Sequence, residues 1–257
     1  MPRVIPIQSG RTRFADDIAA EFWIPRKPSH KAIILCDGCP SVPSKRKLAE
    51  FFARKGYWVF HPRYRGSWES GGEFLRYAPH EDVLLVAENI NKGFRNVYDQ
   101  MIYFLDIHEI IVAGVSFGGT AAALASMSPL VTKAIAIAPV IDWCAQAKSE
   151  DEPFDEFLRI NEEGFGNAYR APRKNYRKLL TGKFYNPISS AQKINSKKLF
   201  IIHAKDDRVV GVVPLKKFAK QTKIPILILP HGGHLSSTIV MKPEIWKRLA
   251  LFVKKSS

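Results

Sequence analysis

The chain alternates short apolar runs with stretches whose apolar residues recur at helical spacing. Residues 32–35, 57–61, 109–113, 134–138, 199–203 and 226–229 are compact runs rich in Ile, Val, Ala and aromatic side chains, and their length predicts buried strands. Residues 4–7 and 21–24 predict an N-terminal hairpin. Residues 45–55 carry Leu48, Phe51 and Phe52 on one side, which predicts an amphipathic helix that Gly56 ends. Helices are also expected over 81–91, 120–126, 214–220 and 243–254. Strands followed by helices in this rhythm predict an α/β fold, a mostly parallel sheet with helices on both faces. Such sheets bind ligands at the carboxyl ends of their strands.

Residues 143–193 break the rhythm. They show no strand pattern and carry an acidic stretch, SEDEPFDEF, followed by a basic one, RAPRKNYRK. A segment this long between two strands is expected to form a cap or lid of short helices. The chain reads as a single domain over 1–257 with this insertion inside it.

Composition adds exclusions. No run of about 18 apolar residues is present, so no membrane span or membrane partner is expected. The N-terminal MPRVIPIQSGRTRF lacks a secretory pattern, and a cytoplasmic location is expected. The formal net charge of +15 suggests attraction to polyanions. Its Lys and Arg residues are scattered over predicted helices and loops, and no nucleic-acid-binding motif accompanies them. A solvated basic surface with no specific nucleic-acid partner is the expectation. Cys36 and Cys39 form a C-x-x-C, a spacing known from redox pairs and half zinc sites. No second pair and no His at finger spacing completes it, so neither a metal nor an organic cofactor is expected.

The candidate chemistry begins at Gly114-Val115-Ser116-Phe117-Gly118, wedged between a β-branched run and an Ala-rich stretch. This is a strand, a tight turn and a helix with Ser116 at the apex. Glycines on both sides permit close approach, and the helix start points amide N–H groups at the same spot. A serine hydroxyl needs a base to take its proton and a carboxylate to orient that base. The strand at 199–203 runs into Asp206 and Asp207, and the last strand runs into His231 and His234. Ser, then Asp, then His, each after a different strand, is the order that nucleophile-elbow hydrolases use.

These residues resemble the α/β-hydrolase superfamily, most closely the prolyl-oligopeptidase-type catalytic domains and the small esterases related to them. The similarity runs over nearly the whole chain. KAIILCDGCP (31–40) stands where that group has a strand followed by His-Gly-x-Pro, and RYRGS (63–67) looks like its Tyr-Arg-Gly-Ser loop. APVIDW (138–143) is similar to its Pro-Val-x-Asp-Trp stretch. HAKDDRVV (203–210) matches His-Gly-x-x-Asp-x-x-Val with Ala204 for Gly, and Gly232-Gly233-His234 matches the Gly-Gly-His that carries the base. The resemblance implies Ser116 as nucleophile, Asp207 as orienting acid and His234 as general base, with the backbone N–H groups of Phe117 and Cys39 as oxyanion hole. Spacing from His203 and Asp-x-x-Val favours Asp207, whereas anchoring on Asp-Asp-Arg-Val favours Asp206. The Gly-Gly pair favours His234 over His231, which is expected to cap the strand end.

Asp37 departs from the usual His and introduces a carboxylate beside the oxyanion loop, which weakens oxyanion binding if it is ionised and close. Cys39 lies on the wrong loop to replace Ser116 as nucleophile. Arg208 is a candidate for holding a substrate carbonyl or carboxylate. The implied function is a serine hydrolase that cleaves a small acyl ester through an acyl-enzyme. The alternatives are a peptidase acting on short peptides and a non-catalytic hydrolase-like binding module. A chain this short leaves no room for the β-propeller that screens substrates in larger members, so a small-molecule acyl substrate is favoured over a polypeptide.

Overall fold

The computed structural model describes residues 6–150 and 152–255. Strands β1 (Ser9–Phe14) and β2 (Ile18–Trp23) pair antiparallel as the N-terminal hairpin, from Ser9 opposite Trp23 to Phe14 opposite Ile18. The first strand thus lies beyond the expected 4–7: residues 4–5 are outside the described residues, and residues 6–7 are not in a strand. The reason is alternation. Gly10, Thr12 and Phe14 turn inward while Arg13 faces solvent, and a face with one large apolar side chain leaves little hydrophobic signal.

The rest follows in chain order. β3 (Lys31–Cys36), α1 (Arg46–Arg54), β4 (Trp58–Pro62) and α2 (Pro79–Asn89) lead to a small hairpin of β5 (Phe94–Arg95) and β6 (Ile102–Tyr103), which sequence patterning did not reveal. Then come β7 (Glu109–Val115), α3 (Phe117–Ala125) and β8 (Lys133–Ile137). Short helices α4 (Trp143–Gln146), α5 (Phe154–Arg159) and α6 (Arg173–Arg177) follow, before β9 (Leu199–Ala204), α7 (Val212–Thr222), β10 (Ile226–Leu229) and α8 (Pro243–Lys254).

Eight strands of the described residues form one sheet in the order β1-β2-β4-β3-β7-β8-β9-β10. β2 pairs antiparallel with β1 and β4, and every pair from β4 to β10 is parallel. Strand pleating divides the core. Ile110 and Val112 of β7 pack on one side with α2, α3 and α7, through Val83, Ala122 and Phe218. Ile111, Ala113 and Val115 pack on the other side with α1 and α8, through Phe52 and Leu249. All nine residues of α3 are buried, which explains its small-residue composition: it lies between the sheet and α2 with no solvent face.

The charged segment 143–193 hides an apolar interior. Trp143, Phe157, Tyr169, Tyr176 and Tyr185 are buried and join the α3-side core. Its charges pair outward, Arg159 with Glu156 and Glu163, and Arg173 with Glu162.

Candidate active site

At Ser116 the chain leaves β7 and enters α3 with φ 53° and ψ −121°, a conformation that costs a non-glycine residue on the order of 1–3 kcal/mol. Two glycines make the turn sterically possible. A Cβ at Gly114 would lie 2.0 Å from the Gly118 carbonyl oxygen, so β7 and α3 cross backbone to backbone. A Cβ at Gly118 would lie 2.4 Å from Asp37 O and 2.6 Å from Cys36 O, so α3 also abuts the end of β3. A Cβ at Gly38 would be 3.7 Å from Ser116 Cβ, which brings the 37–39 loop alongside the serine. Among the described residues, nothing accepts from the amides of Phe117 and Cys39, the two donors expected to face an oxyanion.

The loops after β9 and β10 bring Asp207 and His234 together. Asp207 Oδ2 lies 2.9 Å from His234 Nδ1, and Oδ1 accepts from the Val209 and Val210 amides at 3.0 and 2.9 Å. Burial works to raise the Asp207 pKa. Hydrogen bonds from His203, His234 and the Val210 amide outweigh it and hold the carboxyl well below the usual carboxylate range. An ionised carboxylate only accepts, so the proton sits on His234 Nδ1 and Nε2 is left as the acceptor. His203 Nε2 donates to Val210 O at 2.8 Å and lies 3.4 Å from the same Asp207 oxygen, buttressing the loop from below. Asp206 does something else: its exposed carboxylate accepts from the Gly232 and Gly233 amides at 3.2 and 2.9 Å. His231 is exposed, with Nδ1 3.8 Å from Asp206. The Ser116 hydroxyl takes no hydrogen-bond partner among the described residues; it follows the carboxyl end of β7, as Asp207 and His234 follow those of β9 and β10 in the same parallel sheet.

Asp37 resolves differently from the sequence concern. Its carboxylate is buried, with Oδ2 2.7 Å from His61 Nε2 and Oδ1 3.0 Å from Lys45 Nζ. Arg63 Nη1 approaches His61 Nδ1 at 2.9 Å, and a guanidinium can only donate. His61 therefore accepts on Nδ1 and donates from Nε2 to Asp37. Burial works to raise the Asp37 pKa, but His61 and Lys45 lower it to about 2. The charge is thus ionised and compensated by an ammonium at contact distance. The same loop is held by Tyr64, whose hydroxyl donates to Asp37 O at 3.0 Å, and α3 is held by Tyr185, which donates to Phe117 O at 2.6 Å. Sequence reasoning missed Lys45, His61 and Tyr185 as neighbours of the site. Only Tyr64 left a trace, in the RYRGS stretch.

The C-x-x-C is neither a disulfide nor an exposed pair: Cys36 and Cys39 are buried free thiols. Burial pushes both well above the ordinary thiol range. Cys39 Sγ donates to Asn161 Oδ1 at 3.2 Å, and Asn161 in turn donates to Phe157 O. Among the described residues, the cluster with metal-binding spacing is His30, Asp106 and His108, exposed at the amino ends of β3 and β7 and so opposite the Ser116 end of the sheet.

Above Ser116 lies a cavity of about 20 Å³, walled by Phe117, Trp143, Glu152, Phe154 and Phe157. That volume holds about one water. Arg208 is exposed and does not line it.

No curated protein matches the chain by sequence. Solved structures do resemble it. The acylaminoacyl peptidase of Pyrococcus horikoshii superposes with TM-score 0.67 at 20% identity, over 98% of this chain and 41% of that one. An esterase of Pyrococcus furiosus gives 0.68 at 20% identity, over 99% and 97%. An α/β hydrolase of a Penicillium species gives 0.70 at 17% identity, over 97% and 98%. At such identities these likenesses establish the fold, an α/β hydrolase. The chain thus spans less than half of the peptidase and nearly all of the esterase. The family itself comes from the sequence profile of the prolyl oligopeptidase family, which matches residues 43–256. With most of its length covered by that profile, the chain belongs to the prolyl oligopeptidase family and is a serine hydrolase.

Proposed function

We propose that the protein hydrolyses a small acyl ester, with Ser116 as nucleophile, His234 as general base and Asp207 as the acid that orients it. The observation that carries this reading is the 2.9 Å bond from His234 Nδ1 to Asp207 Oδ2, which leaves Nε2 free to take a proton at the strand ends where Ser116 sits. Triads without substrate are often loose and tighten in the complex. Ser116 Oγ attacks the carbonyl as its proton passes to His234 Nε2. The amides of Phe117 and Cys39 then hold the oxyanion, each such donor contributing about 3–4 kcal/mol to the transition state. His234 returns the proton to the leaving group, and water, activated by the same nitrogen, releases the acyl group. No metal or organic cofactor enters the scheme.

The cavity of about 20 Å³ favours a compact acyl group over a peptide chain. The segment 143–193 supplies most of its wall and acts as the cap of a single domain. Hydrolysis of short acylated peptides is the second reading, supported by the likeness to an acylaminoacyl peptidase. None of the described helices is long and apolar enough to cross a membrane, and we assign the enzyme to the cytoplasm. A fluorophosphonate probe is expected to label the wild type and not Ser116→Ala. Equal labelling of the two would refute the serine assignment. p-Nitrophenyl acetate is expected to be turned over faster than acetyl-aminoacyl p-nitroanilides, and the reverse order would favour the peptidase.

A further inference from the structure

A second group of chemistry-bearing side chains stands at the other end of the sheet. His30 and His108 each immediately precede a strand, and β3 and β7 pair with Lys31 opposite Glu109, so the two histidines enter the sheet side by side. Asp106 lies two residues before His108, and Ile107 between them is buried while both neighbours are exposed. The backbone beneath is held on both sides. The amides of His108 and Glu109 both donate to His30 O, at 2.9 and 3.2 Å. The Asn91 side chain accepts from the Ile107 amide and donates to the Ile107 carbonyl, each at 2.9 Å.

The two imidazoles converge on one oxygen. Asp106 Oδ2 lies 3.3 Å from His30 Nδ1 and 3.1 Å from His108 Nε2. One ligand atom from each of the three residues lies within 4.8 Å of the other two. Ligands about 2.0–2.1 Å from a tetrahedral ion stand about 3.3–3.4 Å apart, so two of the three edges of such a site are already close to its length. His30 Nδ1 also donates to Asp106 O at 2.7 Å. Ligation exchanges these N–H···O contacts for nitrogen–metal bonds. Each neutral imidazole keeps its one proton, which passes through water to the other ring nitrogen. Two imidazoles and one carboxylate suit zinc, copper or nickel, whereas magnesium and calcium take oxygen shells. The formal net charge of +15 opposes any cation, but charges beyond about 8 Å are largely screened. The adjoining Lys31 is neutralised by Glu109 at 3.1 Å.

We propose that His30, Asp106 and His108 bind one divalent ion of the zinc class, with water completing its coordination. The ion fastens the amino ends of β3 and β7 to the turn that holds Asp106. These two strands are neighbours in the middle of the sheet, and an ion that binds the folded chain but not the unfolded one stabilises that pairing. The site is separate from the reaction centre, since Ser116 follows the opposite end of β7. It stands or falls independently of the hydrolase reading.

The test is calorimetric titration of the full chain with zinc chloride, with magnesium chloride as the hard-cation comparison. The wild type is expected to bind zinc saturably in the micromolar range and magnesium not at all. The double variant His30→Ala/His108→Ala is expected to bind one equivalent of zinc fewer than the wild type. Asp106→Asn is expected to weaken that equivalent by about tenfold or more, since loss of even an outer-shell partner costs about 10–100-fold. Zinc is expected to raise the melting temperature of the wild type more than that of the double variant. All three residues are exposed, so the variants are expected to fold, and circular dichroism checks that they do. A folded wild type that binds no zinc overturns the site. So does a double variant that binds zinc with wild-type stoichiometry and affinity, which would place the ion elsewhere on the chain.

Discussion

One methyl group added at Gly118 probes the packing on which the nucleophile turn depends. The new Cβ of Gly118→Ala would fall 2.4 Å from Asp37 O, 2.6 Å from Cys36 O and 2.7 Å from Cys36 C. Ordinary contact between such atoms is about 3.5 Å, so something must move by about 1 Å. All three obstacles are backbone, and Cys36 is held in register opposite Gly114 of β7, so neither side has a flexible end to swing away. The substitution also brings a gain, since Ala is favoured over Gly in a helix by up to about 1 kcal/mol. Overpacking a fixed core costs about 1–3 kcal/mol, and with backbone on both sides the upper end applies. The net expectation is a loss of about 1–2 kcal/mol in stability.

The effect on rate should be larger. The strain is relieved by pushing the 37–39 loop away from α3, which moves the Cys39 amide relative to Ser116. A displacement of about 1 Å at such a group costs about a hundredfold in kcat/KM. The assay is p-nitrophenyl acetate hydrolysis and the rate of fluorophosphonate labelling, with thermal unfolding alongside. Gly211→Ala is the control, because its Cβ meets nothing within 4 Å. Wild-type kcat/KM and melting temperature in Gly118→Ala would refute the argument from packing.

Asp207→Asn is expected to lower kcat by about 10⁴-fold, because the amide stabilises the wrong imidazole tautomer, whereas Asp206→Asn changes it only a few-fold. The opposite ranking in steady-state kinetics would move the acid to Asp206. Lys45→Met leaves the buried Asp37 carboxylate without its ammonium and is expected to cost about 3 kcal/mol by urea denaturation; a change within about 0.5 kcal/mol would show that the ion pair is idle. Acid should expose the same carboxylate. Asp37 titrates at about 2 in the folded chain against an ordinary 3.8, so its contribution of about 2 kcal/mol is present above pH 4 and is lost as pH falls through 2. Asp37→Asn is therefore expected to lose less stability than the wild type between pH 6 and pH 2, and parallel losses in the two proteins would contradict the assignment.

The parallel strands and the Ser116 turn are legible in the chain because each is a local pattern: a run of β-branched residues, then glycines flanking a serine. Asp207 and His234 are legible as strand-end residues, and the 2.9 Å contact between them belongs to that topology. β1 escapes because its inward residues are Gly10, Thr12 and Phe14, a face nearly without large apolar side chains. The apolar interior of residues 143–193 escapes for another reason: short helices and single turns place Phe157, Tyr169, Tyr176 and Tyr185 inward at spacings that follow no period. The Asp37–Lys45 pair is invisible because it depends on how the loop after β3 meets the start of α1, a meeting that no sequence spacing encodes.

The full burial of α3 has a consequence for how this enzyme can change. Every side of that helix is occupied, and its first residues touch backbone, so the proposed nucleophile and its anion-binding amides form a fixed chassis. Most of the cavity wall comes from a different length of chain, the side chains between Trp143 and Phe157. New selectivity can therefore arise by rewriting that stretch alone, with the reaction centre inherited unaltered.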